Sequence, residues 1–119
     1  MSEGLTTIIF PVKDLAKAKA VYNGLLGVQP IMDQPYYVGY RVGGQDVGLD
    51  PNGHRSGMTA PIGYWNVDDI NSTLTALLEA GAEPVQEVKD VGGGKLIASV
   101  KDPDGNVIGL LQPAAGDPG

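Results

Sequence analysis

The pattern of apolar positions predicts two amphipathic helices. Each has a stripe of apolar residues at helical spacing, formed by Leu15, Ala18, Tyr22 and Leu25 in the first and by Ile70, Leu74, Leu77 and Leu78 in the second. Asp14 and Asp69 precede the stripes where N-cap residues are expected, and Gly27 and Gly81 follow them where helices commonly end. The first helix is therefore predicted over roughly residues 15 to 26 and the second between Asp69 and Gly81.

Short apolar segments of strand length surround both helices. "TTIIFPVKDL" and "PIGYWNVDDI" lead into the two helices. Two hairpins are predicted further on, "YYVGYRV" with "DVGLDP" across the turn "GGQ", and "KLIASV" with "VIGLLQ" across the turn "KDPDGN". Additional edge strands are predicted at residues 28–34 and 83–90.

The two halves of the chain repeat each other at an offset of 55 residues, which aligns Val12 with Val67. Each half reads as a strand, a helix and three more strands, so the helix covers only one face of its sheet. We predict the α+β class, with two βαβββ modules forming a curved mixed sheet around a central cavity and the helices outside. The chain is predicted to be a single domain over residues 1–119, with modules at 5–51 and 60–113 and a flexible tail at 114–119.

Alternation along each strand predicts which side chains point toward the helices and which toward the cavity. Tyr36, Tyr40 and Trp65 are assigned to the helix side, together with Phe10, Val12, Val47, Leu49, Val67, Ile108 and Leu110. The predicted ligand-binding residues lie on the cavity side or at its mouth and are Thr7, Tyr37, Arg41, Gly48, Asp50, His54, Ile62, Tyr64, Asn66, Ser99, Gly109 and Leu111. Tyr37 and Tyr64 would give this cavity aromatic walls for a planar or hydrophobic ligand. A register slip of one residue would exchange the two sets of side chains.

Gly48 and Gly109 each interrupt an apolar strand, where glycine weakens the strand and leaves nothing to pack. Two interpretations are open. The glycines relieve crowding where backbones approach or the sheet bends, or they make room for a bulky ligand.

Composition narrows the possible functions. The chain has 119 residues, 42% of them hydrophobic, as in ordinary globular domains. A net charge of −6 argues against a nucleic-acid partner or an anionic membrane surface. The absence of cysteine excludes disulfides, thiolate metal sites and a cysteine nucleophile. With neither a signal-peptide pattern nor a bilayer-spanning run, a cytoplasmic location is predicted.

The doubled βαβββ pattern resembles the vicinal oxygen chelate superfamily, which includes glyoxalase I, extradiol dioxygenases and the bleomycin-resistance proteins. The resemblance rests on "VKDLAKAKAVYNGLLG", "VDDINSTLTALLEAGA" and "KDPDGNVIGLLQP" and covers residues 6 to 113. Metal-dependent members of this superfamily bind the metal through His, Gln or Glu side chains. The resemblance implies that the corresponding positions in this chain are Thr7, Gly48, Ile62 and Gly109. The side chains at these four positions are one neutral hydroxyl, one hydrocarbon chain and two hydrogen atoms, which are poor metal ligands or none. We therefore predict no metal and no other cofactor.

No catalytic arrangement can be identified from the sequence. Asp50, His54, Arg41 and Ser99 could meet at the cavity mouth, but their spacing does not require it. The segment "VGGGK" lacks the context of a phosphate-binding loop and is predicted to be a flexible loop, able to act as a lid.

Two functions therefore remain open. The first is a metal-independent protein that sequesters an aromatic or cationic small molecule between the modules, as in antibiotic resistance. The alternative is a glyoxalase- or dioxygenase-like enzyme, including a metal-free one that uses Asp50 or His54 as general base. By analogy with related sheets, a homodimer is predicted.

Overall fold

The computed structural model describes residues 2–114, with side chains described from Gly4 onward. It contains two compact units. The first unit is Thr6–Gly63, and the second unit combines Tyr64–Gly119 with Met1–Leu5, as far as these residues are described. Apart from Ala114, the predicted flexible tail lies outside the described residues.

Apart from Ser2–Leu5 of β1, which belong to the second unit, the first unit holds one strand, one helix and three further strands, in the predicted order. They are β1 (Ser2–Pro11), α1 (Leu15–Leu26), β2 (Met32–Gln34), β3 (Tyr37–Val42) and β4 (Gln45–Asp50). The strands lie side by side in the order β2-β3-β4-β1, with β1 and β4 parallel and the other pairs antiparallel. Gly43 and Gly44 join β3 to β4 with φ of 54° and 82°, the positive values that a two-residue hairpin turn requires at both positions.

The second unit repeats this arrangement. Its elements are β5 (Ile62–Val67), α2 (Ile70–Glu79), β6 (Glu83–Asp90), β7 (Leu96–Lys101) and β8 (Val107–Gln112). The strand order is β5-β8-β7-β6, again with one parallel pair, β5 with β8. The predicted α+β class with two βαβββ modules is confirmed. None of the helices within residues 2–114 has the length and apolar character to cross a bilayer.

Both helices begin at the predicted caps. The Asp14 carboxylate accepts a hydrogen bond from the Lys17 backbone N–H at 3.0 Å. The Asp69 carboxylate accepts from both the backbone N–H of Ser72, at 3.1 Å, and its hydroxyl, at 3.0 Å. These hydrogen bonds hold the pKa of Asp69 below its usual range, because they favour the charged form. Gly27 ends α1 with φ of 69°.

Each helix packs on one face of its own sheet. Under α1 the buried residues are Val38, Tyr40 and Leu49, with Phe10, Val12 and Val47 packed beside them. Under α2 they are Val67, Ala98 and Leu110, which form one cluster with Ile70 of the helix itself. The Tyr40 hydroxyl donates to Asn23 Oδ1 at 2.6 Å, so it is satisfied inside the core, where burial raises its pKa. The other face of each sheet is therefore the one available for a site.

Two details of the prediction are wrong, the position of Tyr36 and the bounds of the first edge strand. Tyr36 is 58% exposed because it lies in the turn before β3 and not on the strand. Trp65 lies on the predicted helix side, opposite Leu110 of the core, but it is 41% exposed because α2 packs mainly on β6, β7 and β8. The first edge strand covers Met32–Gln34 and not 28–34. Pro30, which has no N–H to donate to a ladder, lies in the part that does not pair.

Candidate functional site

The face of the first unit opposite α1 is a grid of three strands, and we call it the first-unit face. Between β1 and β4 the register aligns Thr7 with Asp46, Ile9 with Gly48 and Pro11 with Asp50. Between β3 and β4 it aligns Arg41 with Asp46 and Gly39 with Gly48. Residues directly opposite each other point to the same side of a sheet. This is the register that the two-glycine turn predicts, and it places Tyr37, Gly39 and Arg41 beside Asp46, Gly48 and Asp50.

The Tyr37 ring covers the glycine pair at the centre of this face. A Cβ built on Gly48 would lie 1.9 Å from Tyr37 Oη and 2.6 Å from Cζ, and one built on Gly39 would lie 3.2 Å from Tyr37 Cε2. Ordinary carbon contacts are about 3.5–4.0 Å, so a side chain at Gly48 and this ring position exclude each other. The ring occupies the space that Gly48 leaves empty.

Charged groups lie at the two ends of the glycine pair. Arg41 Nε donates to Asp46 Oδ1 at 2.8 Å, and Arg41 Nη2 donates to Oδ2 at 3.4 Å, in a bidentate pair that is open to solvent. At the other end, Asp50 follows Leu49, the partner of Val38, and so stands opposite Tyr37. Asp50 Oδ1 accepts from the Asn52 backbone N–H at 2.8 Å, which fixes the carboxylate at the start of a turn.

The predicted residues of the second-unit face, opposite α2, are buried. Here Tyr64 pairs with Gly109 and Asn66 with Leu111 across β5 and β8, and Ser99 pairs with Gly109 across β7 and β8. A Cβ on Gly109 would lie 2.5 Å from Tyr64 Cδ1 and 2.8 Å from Cγ. Tyr64, Asn66, Ser99 and Leu111 are only 4–7% exposed.

The two faces thus differ in how much of them a ligand could touch. On the first-unit face Tyr37 and Asp50 are half-buried and Arg41 is exposed, whereas Thr7 and Gly48 are buried. Ile62, at the start of β5, is also half-buried. A tyrosine ring lies against each of the two strand glycines, an arrangement that neither of the two interpretations anticipates.

The remaining candidates lie in loops. His54 is exposed in the turn after β4, where its backbone carbonyl accepts from Gly57 N at 3.1 Å. The Gly92–Gly94 segment forms a tight turn, in which the Gly92 backbone N–H donates to Asp90 Oδ1 at 2.7 Å.

A shallow depression elsewhere is lined by α2 alone, through Asn71, Ser72, Thr75, Ala76 and Glu79. One helix surface does not enclose a ligand, so the first-unit face is the better candidate.

One structural residue was missed. Gln112 Oε1 accepts from the backbone N–H of Ile70 at 2.8 Å, and so binds the end of β8 to the first turn of α2. Ile70 is fully buried, so this N–H has no access to water. Gln112 lies in the segment "KDPDGNVIGLLQP", but its helix-capping partner is 42 residues away in the chain.

Comparison with known proteins agrees with this architecture. The sequence profile of the Glyoxalase/Bleomycin resistance protein/Dioxygenase superfamily matches residues 4–110. The chain belongs to this superfamily. Over 47 residues, 39% of this chain, it is 49% identical to a "Probable lactoylglutathione lyase" from Vibrio parahaemolyticus serotype O3:K6 (strain RIMD 2210633). The match spans 34% of that relative, so this chain corresponds to about a third of the relative's length.

Solved structures of the superfamily share the fold at low sequence identity. A glyoxalase/bleomycin resistance protein/dioxygenase superfamily member from Vibrio splendidus 12B01 superposes with a TM-score of 0.71 at 18% identity, over 95% of this chain and 100% of that one. The methylmalonyl-CoA epimerase from Mycobacterium tuberculosis superposes with a TM-score of 0.67 at 19% identity, over 95% of this chain and 89% of that one. Both are similar in fold alone.

The metal site that the superfamily implies does not fit the residues present. Thr7 and Ile62 offer one neutral hydroxyl and one hydrocarbon side chain, and Gly48 and Gly109 offer no side chain at all. Tyrosine rings lie where side chains at both glycines would begin. Among residues 4–114, no three His, Cys, Asp or Glu side chains are grouped so that they could hold a metal ion.

Proposed function

We propose that the chain is a metal-independent binding protein for a small aromatic molecule that carries a positive charge. The observation that supports this function is the first-unit face: a glycine pair covered by the Tyr37 ring, with Met32 beside Gly39, Asp50 at one end and the Arg41–Asp46 pair at the other. Asp46 and Asp50, at the two ends of this face, are four residues apart along β4. At 3.3 Å per residue this distance is about 13 Å, which is enough for a fused ring system.

Tyr37 would act as the aromatic wall of this site. The atom nearest to a Cβ on Gly48 is the Tyr37 hydroxyl oxygen, at the far end of a half-buried side chain, so rotation about the Tyr37 Cα–Cβ bond would uncover Gly48. A planar ligand would then lie on the glycine backbone with its edge against the tyrosine ring. Asp50 would attract the positive charge, in agreement with the net charge of −6.

Equilibrium dialysis with two cationic aromatic probes, bleomycin and proflavine, tests the proposal. We expect saturable binding that Tyr37→Ala weakens about 3- to 10-fold, the range for loss of one aromatic contact of 0.5–1.5 kcal/mol. Asp50→Asn should weaken binding of the cationic probe without affecting an uncharged analogue of the same ring size. Tyr36→Ala is the matched control, because Tyr36 is a neighbouring tyrosine exposed in a turn. Binding that Tyr37→Ala leaves unchanged would contradict the proposal.

The alternative is a lyase of the glyoxalase type, which the 49% match to a "Probable lactoylglutathione lyase" favours. Such an enzyme would need a metal that the four family positions do not fit. Elemental analysis of protein purified without chelator distinguishes the two functions, since stoichiometric metal retained through dialysis supports the enzyme and refutes metal independence.

A further inference from the structure

The solvent face of α1 is unusually apolar for the surface of a small domain. Val21 and Leu25 are 66% and 72% exposed, and Val28, just beyond the helix, is 36% exposed. By contrast, the exposed positions of α2 include Asn71, Ser72, Thr75 and Glu79. A helix that is apolar on its outer face as well as on its core face normally has a partner on both sides.

This outer face consists of two adjacent rows at four-residue spacing. One row is a ridge, Lys17, Val21 and Leu25, and the other is a groove of small residues, Ala16, Ala20 and Gly24. All six residues are exposed. Rows spaced in this way pack ridge into groove when two helices cross.

Gly24 adds an independent argument. It lies inside the helix, where glycine is a poorer helix former than any residue except proline. A Cβ there would meet nothing within 4 Å, and the glycine has no positive φ that would require it. Within the described chain nothing explains why this position lacks a side chain, and close approach of another backbone would.

We propose that the outer face of α1, which we call the α1 ridge and groove, binds the same face of a second copy of this chain. With the two helices antiparallel about a two-fold axis, Val21 of each copy faces Gly24 of the other and Leu25 faces Ala20. The ridge of each helix then fills the groove of its partner, and an isologous contact of this kind satisfies both copies at once.

The distribution of charge favours a second copy over a charged partner. The chain has no charged residue between Lys19 and Asp33, so the patch can meet itself without bringing like charges together. The same antiparallel arrangement places Lys17 of one copy at the C-terminal end of the other α1. That helix has no basic residue in its own last turn, where a cation interacts favourably with the free carbonyl groups.

The area available predicts a weak dimer. At about 150–200 Å² for a large side chain, the three exposed apolar residues offer on the order of 250–350 Å² per copy, and the small residues add to this. The total for both copies stays below the roughly 1,200 Å² of stable complexes, so we expect dissociation constants of about 10–100 µM.

Sedimentation equilibrium of the full chain from about 5 to about 500 µM tests the interface. The apparent mass should rise from 12.3 kDa toward twice that value. Leu25→Glu should weaken association at least about tenfold, while the matched change Leu78→Glu, at an exposed leucine of α2, should leave it unchanged. A chain that remains at monomer mass at 500 µM, or a dimer that Leu25→Glu does not affect, overturns the proposal.

Gly24→Gln separates loss of the interface from loss of the fold. Glutamine is a good helix former and meets no neighbour here, so the monomer should melt at a higher temperature while association weakens. Unchanged association in this variant refutes the contact.

Because the chain has no cysteine, Val21→Cys provides a single reporter thiol, which should form an intermolecular disulfide at least about ten times faster than Leu78→Cys. Equal rates for the two variants contradict the arrangement.

Discussion

Replacing Gly109 by alanine tests directly whether the Tyr64 ring requires a glycine beneath it. The added Cβ would lie 2.5 Å from Tyr64 Cδ1 and 2.8 Å from both Cγ and Cε1. Cγ is the ring atom attached to the Tyr64 Cβ, so rotation of the ring about its own axis does not remove the clash. The whole side chain, now 7% exposed, must move.

The expected loss of stability follows from two opposing terms. Overpacking of this kind destabilises by about 1–3 kcal/mol. Alanine in a strand is better than glycine by roughly 0.5–1 kcal/mol, so the net loss should be about 1–2 kcal/mol. In a Tyr64→Ala background the clash is absent, and Gly109→Ala should be neutral or stabilising by up to about 1 kcal/mol. The coupling between the two sites is then about 1–3 kcal/mol.

Urea denaturation of the wild type, the two single variants and the double variant measures this coupling. Gly24→Ala is the control, because its Cβ meets nothing and helix propensity alone should stabilise the chain by about 0.8–1 kcal/mol. Gly48→Ala should be milder than Gly109→Ala, since the closest clashing atom is the hydroxyl oxygen at the far end of the Tyr37 side chain. Effects of Gly109→Ala and Tyr64→Ala that add within about 0.5 kcal/mol would refute the reasoning.

Three further predictions concern hydrogen bonds that hold the fold. Gln112→Ala leaves the buried N–H of Ile70 without an acceptor and should destabilise by about 1–3 kcal/mol in urea melts, whereas Gln112→Glu, which keeps an acceptor, should lose less. Tyr40→Phe removes the donor to Asn23 and should lower stability by about 0.5–1.5 kcal/mol by the same measurement. The lowered pKa of Asp69 adds stability that is present above the unfolded value near 4 and is lost as the pH falls through the folded value. Thermal melts between pH 3 and 6 should therefore show a smaller acid-induced decrease in Asp69→Asn than in the wild type.

The sequence predicts the backbone better than the positions of side chains. The caps at Asp14 and Asp69 and the two-glycine turn determine where the elements begin and how β3 and β4 align, and these are local features. Alternation then assigns Tyr40 to the core and Tyr37 to the opposite face, as the structure has them. It fails for Tyr36, because a period of two has meaning only within a strand.

What the sequence could not predict depends on where long side chains lie. Strand periodicity gives the face of Tyr37 and Tyr64 but not the direction in which each ring turns. The exposure of Trp65 depends on where α2 lies over the sheet, which its own apolar stripe does not determine. The Gln112 cap joins residues that are distant in sequence, and a pattern read in short windows does not find such a pair.

The two strand glycines show how the halves of the repeat have diverged. Gly48 and Gly109 occupy matching places in β4 and β8, yet the covering ring comes from β3 in the first unit and from β5 in the second. Tyr64 is directly opposite its glycine and clashes through the base of its ring, so it acts as a fixed part of the second-unit face. Tyr37 is half-buried and reaches Gly48 with the far end of its ring, so a rotation about its Cα–Cβ bond would carry the ring away from Gly48. Substitutions at Tyr64 should therefore lower stability, and substitutions at Tyr37 should change binding at nearly constant stability. A Tyr37→Ala variant that unfolds as readily as Tyr64→Ala would make both rings structural and remove the basis for a ligand site on the first-unit face.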